Sequence, residues 1–164
     1  MNIDTIILEA FERFGQWLQK NVHGEWNCFW LARRCNDVFL LSMLLNLFFI
    51  SQFIPFPKNV IAMAFFSWMP LAGLAIYRLI SWEEESVLRS VTKGFSNPLR
   101  IEWMGTRMLF LLTLLLSWLS FLLHIVFQKP LETYSIMVFM RIAHHFIVFV
   151  FYFISCNPLP PCES

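Results

Sequence analysis

Three side chains able to carry a positive charge lie close together in one of the most apolar parts of the sequence. Arg141, His144 and His145 fall near the middle of residues 133–154, a stretch long enough for a membrane-spanning helix. A central arginine in such a helix opposes insertion by about 2.5–3.5 kcal/mol, so it must face protein, water or a ligand. The helical repeat gathers five polar residues into one stripe: Tyr134, Arg141, His144, His145 and Tyr152.

The preceding apolar stretch carries a matching stripe of hydroxyl groups and one histidine. Its members recur at spacings of seven, four, three and four residues, which is one helix face: Thr106, Thr113, Ser117, Ser120 and His124. A short turn near Lys129 makes the two helices antiparallel neighbours. Four pairs are then predicted at equal depth: Ser117 with Arg141, Thr113 with His145, His124 with Tyr134, and Thr106 with Tyr152. This intramembrane polar cluster is the candidate site.

Two interpretations of this cluster stay open. In the first, its hydroxyls and imidazoles join the helices by hydrogen bonds, which average about 0.6 kcal/mol each in membrane proteins. In the second, Arg141 meets an anion from elsewhere, because no predicted span contains an aspartate or glutamate. That anion would be a carboxylate of another subunit, a lipid phosphate or an anionic ligand. Ser42 and Asn46, one turn apart in an earlier span, are predicted to add to the same interior.

These residues predict neither enzyme chemistry nor a cofactor. Two histidines that hold a haem must lie at one depth on facing helices, whereas His124 and His144 lie roughly 15 Å apart in depth. His144 and His145 diverge by about 100° around their helix, which makes them poor ligands for one metal ion. The motifs of zinc proteases, serine hydrolases and phosphate-binding loops are absent from the sequence. We therefore expect a non-enzymatic protein without a metal or cofactor.

The composition places both stripes in a polytopic membrane protein of the all-α class. Of 164 residues, 58% are hydrophobic and 14% are charged, whereas soluble domains carry about 25% charged residues. Four apolar blocks are each long enough to cross a bilayer as a helix: residues 38–54, 60–80, 108–127 and 133–154. The formal net charge is +1 and no basic tract occurs, so no nucleic-acid partner is expected.

The positive charges predict that both termini lie in the cytoplasm. Eight of them precede the first block or lie between the second and third blocks, and a ninth, Arg78, lies at the inner edge of the second block: Arg13, Lys20, Arg33, Arg34, Arg78, Arg89, Lys93, Arg100 and Arg107. The two short connections carry one each, Lys58 and Lys129. Cytoplasmic loops are enriched in lysine and arginine, so this bias favours cytoplasmic termini, in what we expect to be a bacterial inner membrane.

Two further helices are predicted outside the apolar blocks. In the N-terminal segment, residues 1–36, an amphipathic helix over 3–18 is expected to dock on protein or lie at the membrane surface. A short loop helix is predicted between a capping box at Ser81 and Gly94. The Pro-rich tail, residues 155–164, is non-helical. Pro70 is predicted to kink the second span.

Taken with its small size, this architecture predicts an interaction or accessory module that binds another membrane protein. Toxin-immunity, exclusion and secretion-accessory proteins share this type of architecture. The alternatives are an oligomeric channel or transporter for protons or anions, lined by the two stripes, and a lipid- or cofactor-binding membrane subunit. The expected partners are the lipid bilayer and either another membrane protein or further copies of the chain. The four cysteines are expected to be reduced thiols.

Overall fold

The computed structural model describes residues 3–22, 27–53, 58, 60, 63–64, 67–127 and 131–157. Every regular element in this part of the chain is a helix, so the all-α prediction is confirmed. The helices are α1 (Ile3–Asn21), α2 (Cys28–Phe53), α3 (Trp68–Thr92), α4 (Leu99–Glu102), α5 (Met104–Val126) and α6 (Leu131–Ser155).

Three helices are long and apolar enough to cross a membrane, as judged on the described residues. The candidate spans are Cys28–Gln52 in α2, Met104–Leu123 in α5 and Val138–Ser155 in α6. They correspond to the first, third and fourth predicted blocks. The second predicted block, residues 60–80, lies partly outside the described residues. A fourth crossing therefore stays a prediction.

Helix α6 is the centre of the bundle. It packs along α2 more extensively than any other helix pair and contacts α5 on another side. The main core between α2 and α6 includes Phe39, Met43, Ile147 and Phe151, all of them buried. Helix α3 packs mainly on α2, while α3 and α5 make no extensive contact with each other. The bundle is therefore loosely closed between α3 and α5.

Helix α3 is one continuous element where a span and a separate loop helix were predicted. Ser81 lies inside α3, and its hydroxyl donates to the Tyr77 carbonyl rather than capping a new helix. The helix ends where predicted: Gly94 has φ of 82°, and its N–H donates to the Val91 carbonyl. Pro70 lies in the first turn of α3, where a missing N–H is harmless, and the turn at Ser67 separates α3 from the helical residues 63–64 before it. The predicted kink in the second span stays a prediction, because residues 65–66 lie outside the described residues.

A four-residue helix, α4, leads into α5 through a local break. Asn97 Oδ1 accepts a hydrogen bond from the Leu99 N–H at 2.9 Å, which caps the start of α4 beside Pro98. Trp103, with φ of −94° and ψ of 6°, separates α4 from α5. The end of the bundle that holds the start of α2, the last turns of α3, α4 and the end of α6 is called the polar end below; an ion pair between Arg33 and Glu84 joins α2 to α3 there.

Helix α1 docks on the bundle at the polar end, on a face rotated from the predicted apolar face. Asp4, Leu8, Gly15 and Gln19 are its buried residues. The predicted apolar face consists of Ile3, Ile7, Ala10, Phe11, Phe14, Trp17 and Leu18. Three of these residues, Ile7, Phe11 and Leu18, pack against the core, whereas Ile3, Ala10, Phe14 and Trp17 are exposed. The rotation has two visible causes. Asp4 pairs with a buried arginine of α5, and a side chain at Gly15 would press on Cys28.

Candidate functional site

Arg141 lies buried between α5 and α6, beside the serine with which it was paired in the sequence. Its Nη2 donates to the Ser117 carbonyl oxygen at 2.7 Å, so the contact uses the backbone rather than the hydroxyl. The guanidinium carbon lies 4.3 Å from the centroid of the Phe121 ring and 6.0 Å from that of Trp118. The arginine thus faces protein and two aromatic rings, as a charged residue within an apolar helix must.

The two histidines take partners other than those predicted. Thr113 Oγ1 lies 3.0 Å from Nε2 of His144, so the predicted pairing of Thr113 with His145 was wrong by one residue. His145 instead accepts a hydrogen bond from Trp118 Nε1 at 3.1 Å, and its Nδ1 lies 2.7 Å from the Arg141 carbonyl. Neighbouring side chains on a helix diverge by about 100°, so His144 and His145 face different residues of α5.

The remaining members of the candidate cluster lie in different places. Tyr152 is buried at the polar end, where its ring stacks on Phe11 at 5.1 Å rather than pairing with Thr106. Thr106 is half-buried and Ser120 is exposed on α5. The side chains of His124 and Tyr134 lie outside the described residues. The structure therefore joins Arg141, Ser117, Thr113, His144 and His145 into one α5–α6 contact and separates Tyr152 from it.

A second buried polar network, centred on Arg107, escaped the sequence analysis. Arg107 Nε donates to Asp4 Oδ1 at 3.0 Å and Nη2 donates to Asp4 Oδ2 at 2.6 Å. Its Nη1 donates to Ser155 Oγ at 2.7 Å and to the Leu99 carbonyl at 3.2 Å. Arg107 entered the sequence analysis only as a positive loop charge, although it stands inside an apolar helix. That position was the available signal for a buried partner.

Asn97 fastens the end of α6 to the start of α4. Its Nδ2 donates to the carbonyls of Ile154 and Cys156, both at 2.8 Å, which satisfies backbone oxygens that the end of a helix leaves free. Nearby, Arg100 and Glu12 of α1 form an ion pair at 3.4 Å. The polar end is thus a connected network that joins α1, α4, α5 and α6.

Asn46 of α2 is a fully buried amide near the middle of the candidate span. Among the described residues, neither its Nδ2 nor its Oδ1 has a hydrogen-bond partner. Its predicted neighbour Ser42 donates to the Val38 carbonyl at 2.7 Å and is satisfied within the helix. A buried amide without a partner destabilises the fold by about 1–3 kcal/mol, so its presence calls for a reason.

An apolar cavity of about 260 Å³ lies among α2, α3, α5 and α6. Its walls include Phe39, Met43, Trp68, Ala72 and Ile147. The two polar side chains that line it, Thr113 and His144, are the pair that joins α5 to α6. The candidate cluster and the cavity therefore share one edge.

The cysteines fit the prediction of reduced thiols in the part of the chain that the structure describes. Cys28, Cys35 and Cys156 are free and buried, while Cys162 lies outside the described residues. A hydrogen bond with Cys28, and then burial, raise the pKa of the Cys156 thiol well above its ordinary value. The group is therefore a protonated thiol at neutral pH and a poor nucleophile. Within the described residues, no group of three or more metal-binding side chains is arranged to hold an ion.

Comparisons with protein-family models, curated proteins and solved structures find no match. The class of protein is defined by the fold and composition: the described part of the chain is all-helical, and three of its helices are long and apolar enough to span a membrane.

Proposed function

We propose that this chain is a small, non-enzymatic, multi-pass membrane protein that binds another membrane protein at its polar end. The observation that carries the proposal is an open groove of about 540 Å³ on the last turns of α3. Two exposed aromatic residues, Trp82 and Phe95, line it. Large apolar side chains outside a membrane span are not covered by lipid tails, and such exposed groups mark interaction sites.

The groove has the composition of a protein-binding surface. Trp82 is 76% exposed and Phe95 is 67% exposed, and charged residues of both signs lie between them, among them Glu85, Arg89 and Lys93. Tryptophan and arginine are enriched among the residues that dominate binding energy at interfaces. Trp82 follows the second apolar block by two residues, so we expect the bound segment to be a part of the partner that lies close to the membrane surface.

For the topology, we propose four crossings with both termini in the cytoplasm of a bacterial inner membrane. Support comes from the nine positive charges before the first block, between the second and third blocks and, for Arg78, at the inner edge of the second block, against two in the short connections. In this arrangement the polar end, the groove and α1 all face the cytoplasm. Reporter fusions after residues 57, 95, 129 and 164 are expected to read outside, inside, outside and inside.

The alternative of a channel or transporter is less well supported than a binding module, because the polar stripes of α5 and α6 contact each other. Thr113 contacts His144, and Arg141 contacts Ser117, across the α5–α6 interface. Hydrogen bonds between two packed helices account for these polar side chains without a conducting lumen.

The test is gentle purification of the tagged chain from its native membrane, followed by mass spectrometry. We expect a second membrane protein in constant ratio to the wild-type chain, and its loss with the double variant Trp82→Ala, Phe95→Ala. The matched control is Ile101→Ala, which removes an equally exposed apolar side chain outside the groove. Recovery of the same protein with the double variant would overturn the proposal, as would a wild-type preparation that contains only copies of this chain.

A further inference from the structure

The cavity among α2, α3, α5 and α6 has the features of a ligand site rather than of a packing defect. Its volume of about 260 Å³ lies just below the usual range of about 300–1,000 Å³ for small-molecule pockets. It is well above the roughly 150 Å³ that suffices for benzene. It is partly open rather than sealed, as a pocket that exchanges its ligand must be.

The α3 and α5 walls of this cavity are not joined to each other by extensive packing. Trp68, Met69, Ala72 and Ile76 of α3 line one wall, and Phe110 and Thr113 of α5 lie across from the α2 wall. Because α3 and α5 make no extensive contact, no interhelical packing has to be broken between these two walls. In the proposed topology of four crossings, a molecule dissolved in the hydrocarbon core would reach the cavity between α3 and α5 without crossing the polar end.

The hydrogen bonds of His144 determine which chemical group the cavity accepts. Thr113 Oγ1 donates its one proton to the Phe110 carbonyl at 3.0 Å. His144 Nε2 lies 3.2 Å from that carbonyl and 3.0 Å from Thr113 Oγ1. A carbonyl only accepts, and the hydroxyl proton is already used, so Nε2 carries the imidazole proton in this network. Nδ1 is then an acceptor, and it takes part in none of the hydrogen bonds of the described residues.

We propose that this cavity binds a neutral lipophilic phenol or alcohol, whose hydroxyl group donates to Nδ1 of His144 while its apolar body fills the space between α3 and α5. No charged side chain is among the described residues that line the cavity, so a charged ligand would be left without a counter-charge. This inference does not depend on the proposed binding of a partner protein at the polar end.

The experiment uses two probes of equal shape, 4-butylphenol and butylbenzene, which differ only in the hydroxyl group. The full chain is purified in one detergent, and its melting temperature is measured against probe concentration, since a ligand of the native state raises it. The variant Ala72→Phe fills the cavity, and the matched control Ala75→Phe places the same bulk on an exposed position of the same helix. The probe-dependent shift in melting temperature of Ala72→Phe is subtracted from that of the wild type. This subtraction corrects for the effect of probe dissolved in the detergent.

We expect both probes to stabilise the wild type and Ala75→Phe but not Ala72→Phe. We also expect 4-butylphenol to bind about three- to tenfold more tightly than butylbenzene, as one hydrogen bond provides. His144→Phe should reduce this preference to parity, whereas His145→Phe should retain it. Equal shifts in Ala72→Phe and the wild type would overturn the site. Equal affinity of the wild type for both probes would overturn the role of His144, even if His144→Phe fails to fold.

Discussion

Asp4 and Arg107 form a buried ion pair with two parallel hydrogen bonds, although 103 residues separate them in the chain. Both side chains are almost fully enclosed, at 4% and 0% exposure. The pair anchors α1 to α5, and Ser155 extends the network to the end of α6. Breaking a buried pair by removing one partner leaves an uncompensated charge, which is far more costly than the loss of an exposed pair.

We therefore predict that Arg107→Met lowers the free energy of unfolding by about 3–5 kcal/mol. The double variant Asp4→Leu, Arg107→Met should lose less, because it leaves no buried charge. Arg89→Ala is the control, since Arg89 and Glu85 form an exposed pair whose loss should change little. Thermal or denaturant unfolding of the purified protein provides the measurement. Equal losses for Arg107→Met and Arg89→Ala would contradict the prediction.

The register of α5 against α6 is testable by crosslinking. Thr113 contacts His144, so cysteines at 113 and 144 should crosslink faster with a short thiol reagent than cysteines at 113 and 145. The native cysteines are first replaced by alanine, and gel mobility against time gives the two rates. If the pair at 113 and 145 reacts faster, the register deduced from the sequence is correct and the contact to His144 is not.

Replacement of Asn46 by leucine should stabilise the protein. The change removes two buried polar atoms that lack partners among the described residues, and each such group destabilises a fold by about 1–3 kcal/mol. Ser42→Ala is the matched control on the same helix face, and it should be nearly neutral because that hydroxyl bonds within α2. A lower melting temperature for Asn46→Leu than for the wild type would show that the amide is satisfied in the folded protein.

Two glycines should respond to alanine in opposite directions. A Cβ atom at Gly73 would overlap the Leu40 side chain, so Gly73→Ala should destabilise the α2–α3 contact by about 1–3 kcal/mol. Leu40→Ala should restore part of that loss by making space. At Gly105 a Cβ atom meets nothing within 4 Å, so Gly105→Ala should add up to about 1 kcal/mol through helix propensity. Destabilisation by both substitutions would refute this account of the packing at Gly73.

The stability at neutral pH should rise when the charge of Glu83 is removed. Burial, and then the charge of Glu102, raise the pKa of the Glu83 carboxyl above its usual value. A raised pKa means that the unfolded chain releases this proton at lower pH than the folded chain does. The carboxyl thus opposes folding above its ordinary pKa of 4.5, and this effect disappears in acid. Glu83→Gln should therefore melt higher than wild type at pH 7 and equally at pH 4, whereas Glu85→Gln, exposed and paired with Arg89, should show no such gain.

The sequence predicts those features that depend on local patterns and misses those that depend on distant pairs. The periodicity of apolar residues places α2, α5 and α6, and Gly94 ends α3 as its backbone freedom indicates. The pairing of Ser117 with Arg141 follows from the short turn between two helices. The pairing of Arg107 with Asp4 cannot be predicted in this way, because in the sequence Asp4 is only one of several polar residues of an amphipathic helix. The amphipathic pattern of a helix does not determine which of its residues will contact a distant part of the chain.

The contact between Thr113 and the two histidines of α6 also depends on more than the local sequence pattern. Equal-depth pairing fixes the axial position of Thr113 to within one residue, but the choice between His144 and His145 depends on how the two helices are rotated. The two helices are also joined by aromatic residues outside both stripes, such as Phe110 stacked on Phe151 at 5.0 Å, whose pairing the stripes do not predict. The cavity is likewise invisible in the sequence, because an absence of packing has no residue pattern.

The long separation between Asp4 and Arg107 also determines when their ion pair can form during synthesis of the chain. A ribosome that adds about 5–20 residues per second completes Asp4 roughly 5–20 s before Arg107. Ser155 follows later still. During this interval the first helix has emerged while the arginine that receives its carboxylate has not yet been made. The polar end can therefore assemble only after α6 has been made. In a chain that stops before α6, the docking face of α1 stays uncovered and is accessible to the chaperones and proteases of the cell.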